Sequence, residues 1–483
     1  MATASVCHLD KQNFYYENQE DRELTLTPDD YSLLTDLYQL TMSACYVGEG
    51  KEQAKASFEL FARRLPTGFG YLIAMGLAQA LDYLEKFRFS DRQIAALQAT
   101  GIFQQAPDKF WSLLSQARFT GDVWAVPEGT AVFANEPLLR IEAPLWQAQL
   151  VETYLLNTLN YQTLVATRAA RMRDVAGDSA TLLEFGTRRA FSPQASLWAA
   201  RAALAGGLDA TSNVLAALRL NQKPSGTMAH ALVMALAASE GSEMGAFTAF
   251  HRYFPGASLL IDTYDTIAAA KNLAESVRAG EMEVTGVRID SGDLVKSSQM
   301  VRSLLPDASI FASGDIDEWE IARLKAAGAC IDGYGLGTKL VTGSPVNGIY
   351  KLVDIDDIPV MKESSGKMTY PGRKQIFRSF VDGRVSCDRL GLIAESPIDQ
   401  QPLLQLVMKQ GERVQPSESL ATIRERTAAS VASLPDECRR LDDPVSVGVE
   451  ISEGLEDLIE RTRNEPRSRS VASAFRREGR KER

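Results

Sequence analysis

The chain has 483 residues, 45% of them hydrophobic and 24% charged, which suits a folded protein large enough for two domains and excludes a fibrous or wholly disordered one. A formal charge of −10 argues against a general nucleic-acid binder, which needs an excess of Lys and Arg, and favours a small-molecule substrate. The five scattered cysteines form no Cys-x-x-Cys pair, and no apolar run reaches the about 18 residues of a membrane span, so the expected setting is the reducing cytoplasm, without disulfides, zinc or membrane contact.

Residues 1–28 are polar and read as a mobile N-terminal segment. It ends at Thr27-Pro28-Asp29, which suits a helix start because Thr caps and Pro fits the first turn. Within 29–150, "ASFELFARRL" and "RFTGDVWAVPEGTAVFANEPLLRIEA" alternate apolar and polar residues as antiparallel strands do. The same alternation returns after about residue 348. One discontinuous, sandwich-like α+β domain, 29–150 completed by about 348–460, is therefore expected.

The segment 151–347 has another texture. "ATLLEFGTRRA", "GGLDATSNVLAALRL", "SGTMAHALVMALAA", "SLLIDTYDTIAAAKNLAESV", "VTGVRIDSGDLVKSSQMV", "SIFASGDIDEWEIARLKAAG" and "CIDGYGLGTKLV" follow one another, most reading as a short apolar strand, a turn and a helix. The turn residues Glu184, Asp209, His230, Asp262, Arg288, Ser313 and Gly335 recur at about the length of a βα unit. Such repeats predict an α/β architecture with a parallel sheet, and this many units suffice for a barrel whose turns meet at one end, where ligands bind. The last residues, 461–483, are Arg/Ser-rich and read as a disordered tail.

That ring of turns carries the candidate chemistry. "GYGLGTKLVTG" sets Gly333, Gly335 and Gly337 beside Thr338, and "ASGDIDEW" sets Ser313 and Gly314 before a helix start. Backbone N–H groups approach anions closely at such glycines, so the two turns read as adjacent phosphate cradles. In Arg288-Ile289-Asp290 the charged side chains share one face of a strand. Arg288 suits a carboxylate or phosphate, and Asp290 suits a developing positive charge or a metal. "EFGTRRA" adds Arg188 and Arg189, so an anionic substrate is expected. His230, one of only three histidines, opens the apolar run "HALVMALAA".

The stretches "LLTDLYQLTM", "FELFARRLP", "EFGTRRAFSP", "GGLDATSNV", "SGTMAHALV", "VRIDSGDL", "ASGDIDE" and "GLGTKLVTG", in this order from about residue 31 to 352, together resemble nicotinate phosphoribosyltransferases. The resemblance implies an incomplete α/β barrel and a homodimer whose active sites are completed by the neighbouring subunit. It implies that Tyr38, from the partner, Thr227 and Arg288 contact nicotinate. Thr338 falls on a position that binds 5-phosphoribosyl 1-pyrophosphate, with Gly337, Ser313, Gly314 and Arg188 as the surrounding phosphate donors. His230 falls on a histidine phosphorylated by ATP.

The implied reaction joins nicotinate to 5-phosphoribosyl 1-pyrophosphate, giving nicotinate mononucleotide and pyrophosphate. ATP serves as co-substrate, Mg²⁺ accompanies the pyrophosphate, and Asp290 stabilises the ribose carbon or helps hold the ion. Asp209 falls in the same ring, where a carboxylate near the base would favour nicotinamide. The "TDLYQLTM", "TSN" and "SGDL" stretches nonetheless resemble the nicotinate branch more closely. A barrel aldolase would instead want a Schiff-base lysine at a strand end, for which Lys339 is the only nearby residue.

Overall fold

The computed structural model describes residues 24–364 and 367–464. The mobile-segment reading of residues 1–23 and the tail reading of 465–483 lie outside them. Thr27 does stand at a helix start, with Pro28 in its first turn, but the helix is a single 3₁₀ turn, Pro28–Asp30; residues 453–464 are helical, so a helix runs into the start of the segment read as a tail.

The chain first forms α1 (Leu37–Gly48), β1 (Lys55–Ala62), β2 (Asp122–Ala125), β3 (Pro137–Pro144) and the long helix α2 (Glu152–Ala176). It then runs through β4 (Thr181–Glu184), α3 (Pro193–Ala205), β5 (Ala210–Thr211), α4 (Val214–Arg219), α5 (His230–Glu240), β6 (Leu259–Leu260) and β7 (Gly286–Ile289). After these come α6 (Leu294–Leu304), β8 (Ser309–Ser313), α7 (Glu318–Ala326), β9 (Gly333–Leu336) and the short α8 (Thr338–Val341). The chain returns as β10 (Gly348–Ile355), the hairpin β11 (Lys374–Val381) and β12 (Arg384–Leu392), β13 (Gln405–Lys409) and α9 (Leu420–Ala432).

Strands β4 to β9 form one six-stranded parallel sheet in the order β5-β4-β9-β8-β7-β6. That order is a cycle in chain order with one pairing missing, between β5 and β6. The strands are short and apolar because helices cover them, and β6 and β9 are buried at every residue. The sequence pattern suggests a strand before most of the seven turns, faintly before Asp209 and His230. Six strands form, but β5 follows Asp209 instead of preceding it, and residues 222–229, ahead of His230, take no regular structure and fall in the break of the cycle.

Flanking residues build antiparallel sheets. A seven-stranded sheet contains the run β10-β1-β3-β2-β13, so strands from both sides of the parallel sheet pair directly, Phe58 with Leu352 and Trp124 with Leu406. The alternation after residue 348 does not all join it: β11 and β12 belong to a separate four-stranded sheet. The architecture of the described residues is thus mixed α/β, with one all-parallel sheet and others wholly or mainly antiparallel. Among the described residues no helix is long and apolar enough to cross a membrane.

Helix α2 ties these layers together. Its Arg171 is 2% exposed, lies between the rings of Phe69 and Trp319, 4.9 and 5.3 Å from their centroids, and donates from Nε to Glu318 of α7 at 2.8 Å. Removing one member of such a pair strands a buried charge. Glu318→Ala should therefore lower unfolding stability by about 3–5 kcal/mol, read as a fall in the denaturant midpoint.

Candidate active site

The C-terminal ends of the parallel strands surround a cavity of about 870 Å³. Arg188, Thr227, Arg288 and Asp290 line it, as do Ser313, Gly314, Gly337 and Thr338. These residues come from four strand ends and from the irregular segment in the break of the sheet. The walls include Arg188, Arg189 and Arg288 against Asp290 and Asp315, so cations outnumber carboxylates in an otherwise acidic protein.

One wall is organised by Arg288. Its Nη1 donates to the Thr227 hydroxyl at 2.8 Å and its Nη2 to the Met228 carbonyl at 3.1 Å, and the guanidinium lies 5.8 Å from the centroid of the Phe185 ring. Burial pulls the Arg288 pKa below the ordinary guanidinium value, opposed by Asp290 and Asp262. Its Nε is buried without a hydrogen-bond partner. A partly desolvated guanidinium of this kind recognises a carboxylate by charge-assisted hydrogen bonds, beside an aromatic face on which a flat ring can stack.

The adjoining wall, at the end of the neighbouring strand β8, is built of tight turns. The Ser313 hydroxyl donates to Asp290 at 2.5 Å, and Gly314 (φ +92°) and Asp315 (φ 38°) both turn left-handed directly after β8. A Cβ on Gly314 would overlap the Asp290 carbonyl oxygen, so only glycine lets the two strand ends approach. The other glycines divide by role. Gly333 and Gly335 lie within β9, not after it, and make room for the rings of Phe311 and Phe185, while Gly335 also lines the cavity with Gly337 and Thr338, which follow the strand. The cradle read from the sequence is thus narrower than expected by one glycine, Gly333, which serves packing away from the cavity.

The residues that sequence reading passed over are Phe185, Ser212 and Asp315, all on the cavity wall. Their signal was position alone, each standing just past a strand end. Glu184 supports two of these turns: its buried carboxylate accepts from the Gly186 N–H and from the Thr211 hydroxyl. Burial raises its pKa, and those two donors oppose the rise.

His230 and Tyr38 stand apart from the cavity wall. His230 is the first residue of α5, its side chain 39% exposed; Nδ1 lies 3.0 Å from the Thr263 hydroxyl, and Nε2 lies 3.9 Å from Asp262 Oδ1. That oxygen is buried and has no hydrogen-bond partner, while Oδ2 accepts from the Asp290 N–H and the Ser291 hydroxyl. Its neighbours Met228 and Ala229 line the cavity. Tyr38, on α1, is 47% exposed and borders a different cavity with Glu152 and Phe191.

Asp209 corrects the sequence reading. It precedes β5 instead of following a strand, so it sits at the far end of the sheet. There it accepts from the Leu182 N–H at 2.8 Å and pairs with Arg173 and Arg424 at 2.5 and 2.6 Å. Burial raises its pKa, but these three donors outweigh burial and hold it below the ordinary carboxylate value. Lys339 likewise lies off the wall, 3.8 Å from Asp317. Among the described residues no cluster of three or more His, Cys, Asp or Glu is arranged to hold a metal ion.

The Gly314 contact is open to test. Gly314→Ala should cost about 1–3 kcal/mol of stability from the left-handed backbone and the clash with Asp290, seen as a lower urea midpoint at unchanged m-value.

Comparison with known proteins agrees with this geometry. Three family descriptions match the chain: the nicotinate phosphoribosyltransferase N-terminal domain over residues 33–160, the nicotinate phosphoribosyltransferase family over 180–312, and the corresponding C-terminal domain over 395–459. A nicotinate phosphoribosyltransferase of Mycobacterium tuberculosis is 40% identical over 445 residues, spanning 90% of this chain and 94% of the relative. That of Bacillus subtilis is 38% identical over 468 residues, spanning 88% and 94%. The crystal structure of human nicotinic acid phosphoribosyltransferase superposes with a TM-score of 0.77 at 32% identity, covering 89% of this chain and 99% of that one. With identity at this level over nine-tenths of its length, the chain belongs to the nicotinate phosphoribosyltransferase family.

Proposed function

We propose that this protein joins nicotinate to 5-phosphoribosyl 1-pyrophosphate, giving nicotinate mononucleotide and pyrophosphate, as the first step of NAD synthesis from nicotinate. The observation that carries the proposal is the single cavity shared by Arg288 with Thr227 and by the turns of Arg188, Ser313–Gly314 and Gly337–Thr338. A guanidinium suited to a carboxylate thus shares one space with several turns suited to phosphates, as a reaction between a small aromatic acid and a phosphorylated sugar requires. The parallel sheet around it is read as an incomplete barrel, open where β5 and β6 do not pair.

In this reading Arg288 orients the carboxylate of nicotinate against the Phe185 ring. The pyridine nitrogen attacks the ribose carbon as pyrophosphate departs; it has no proton to lose, so no general base is needed. Asp290 stabilises the positive character on that carbon, and Ser313, Gly314, Gly337, Thr338 and Arg188 hold the phosphates. Asp290 and Asp315 both line the cavity and supply hard oxygen donors, which fits Mg²⁺, an ion usually bound by one or two carboxylates together with substrate phosphates. They would hold the ion, which supplies charge neutralisation to the leaving pyrophosphate. With Asp209 at the far end of the sheet and paired with Arg173 and Arg424, its carboxylate does not bear on the choice between nicotinate and nicotinamide.

His230 takes a separate role. One ring nitrogen sits on a hydroxyl and the other faces the Asp262 carboxylate, which suits an imidazole that becomes phosphorylated by ATP while retaining a proton on its second nitrogen. Hydrolysis of that phosphohistidine couples ATP to synthesis and makes the enzyme an ATP-dependent, carbon–nitrogen bond-forming ligase. Tyr38, exposed and not on the wall of the Arg288 cavity, is assigned to the site of a second copy in a cytoplasmic homodimer. An aldolase reading loses support because Lys339 does not line the cavity.

Mononucleotide formation from nicotinate and from nicotinamide, with and without ATP, tests these assignments. Wild-type protein should prefer nicotinate and be stimulated by ATP, with the stimulation lost in His230→Ala; equal stimulation in that variant would remove His230 as phosphate acceptor. Arg288→Met should raise the nicotinate KM by about 10- to 100-fold, the value of a charge-assisted hydrogen-bond pair. Chelation of divalent cations should abolish turnover, and added Mg²⁺ should restore it.

A further inference from the structure

The Gly337–Thr338 turn is supported from behind. Helix α8 is only four residues long, too short for its own hydrogen bonds to hold it in place. Two side chains seven residues apart on α2, and so on one face of that helix, secure its carbonyls. The Tyr161 hydroxyl donates to the Val341 carbonyl at 3.1 Å, and the Arg168 guanidinium donates to the Lys339 carbonyl. Neither residue lines the large cavity. Gly343 (φ +136°) carries the chain closely over Arg168, where a Cβ would overlap the guanidinium.

The constraint extends to the second anion-binding turn. A Cβ on Gly186 would overlap Val341, so α8 packs directly on the backbone of the Phe185–Arg189 turn. The Phe185 N–H in addition donates to the Leu336 carbonyl at 2.7 Å. Burial, with Glu184 adding to it, raises the Tyr161 pKa to about 12, so its hydroxyl remains a donor at neutral pH.

We propose that Tyr161 and Arg168 are positioning residues for the phosphate end of the site, holding Gly337 and Thr338, and through Val341 the Gly186 backbone, at the spacing the phosphorylated sugar requires. The inference rests on the substrate assignment made above. Backbone N–H donors cannot recover lost geometry by changing rotamer, so a shift of α8 weakens the grip on the phosphates directly. The Arg288 guanidinium is held by Thr227 and Met228 and not by α8, so its hold on nicotinate should be spared.

The test compares Tyr161→Phe, Arg168→Met and the conservative Arg168→Lys with wild type, measuring kcat, KM for each substrate, calorimetric binding of 5-phosphoribosyl 1-pyrophosphate, and Tm. Tyr161→Phe should raise the phosphoribosyl pyrophosphate KM about fivefold and Arg168→Met at least about tenfold, each loss being that of one hydrogen bond with its acceptor left unpaired. The nicotinate KM and the Tm of Tyr161→Phe should stay near wild type, and Arg168→Lys should recover part of the loss because an ammonium can reach the same carbonyl. Unchanged constants in Tyr161→Phe and Arg168→Met, or a parallel rise of both KM values with a fall in Tm in Tyr161→Phe, would overturn the proposal. Wild-type protein that fails to bind phosphoribosyl pyrophosphate would instead overturn the substrate assignment itself, a result legible before any variant is made.

Discussion

The parallel pairing of β4 with β9 is the contact on which the site depends. It joins the first and last of these strands in chain order, Thr181 to Gly333 through Glu184 to Leu336, and so brings the two ends of a linear series of βα units side by side. Without it the sheet would fall into two pieces, β5-β4 and β9-β8-β7-β6, with the Phe185–Arg189 turn on one and the Gly337–Thr338 turn on the other. The register ends both strands at one level, so one turn supplies an aromatic face and arginines, and the other supplies backbone donors, to the same cavity. Gly335 is the local condition for this pairing, since its missing Cβ is what admits the Phe185 ring.

Charge is arranged on that frame with little margin. The protein is acidic overall, yet its cavity gathers arginines at the end where glycine-rich turns also expose N–H groups. Arg288 is held there by neutral oxygen acceptors, a hydroxyl and a carbonyl, which leaves its charge available to a ligand instead of spending it on an internal ion pair. Arg171, Arg173 and Arg424 have the opposite fate, each matched to a carboxylate away from the cavity. The same side chain thus has its charge matched within the protein or left toward the cavity according to whether its nearest acceptor is charged.

The break in the sheet has its own consequence. Where β5 and β6 fail to pair, the segment 222–229 runs without regular structure along the cavity and delivers Thr227 to Arg288 before α5 begins at His230. A strand in that place would bury its backbone in ladder hydrogen bonds. An irregular segment can instead present side chains and carbonyls inward, at the cost of being positioned by its neighbours, chiefly Arg288 through Thr227 and Met228.

Several of these features were legible in the sequence because they depend on local periodicity. Repeated strand–turn–helix texture specified a parallel sheet, and the alternation of Arg288 and Asp290 placed both charges at one strand end, since neighbours two apart on a strand share a face. Alternation on both sides of 151–347 likewise foretold strands that pair across it. Other features were decided only by packing across long distances. Asp209 looks like a ring residue until β5 is seen to start after it rather than before it, which moves the carboxylate to the opposite end of the sheet. Gly333 looks like a phosphate-binding glycine until Phe311 is seen against it, and Gly335 proves to serve both the cavity wall and the packing of Phe185. Tyr161 and Arg168 carry no motif, because what they hold is a pair of carbonyls, and every residue type has one. The chain alone determined which elements form and which residues stand at their ends; the tertiary structure decided which of those ends meet, because strand pairing and close contact at glycine join residues that no local spacing connects.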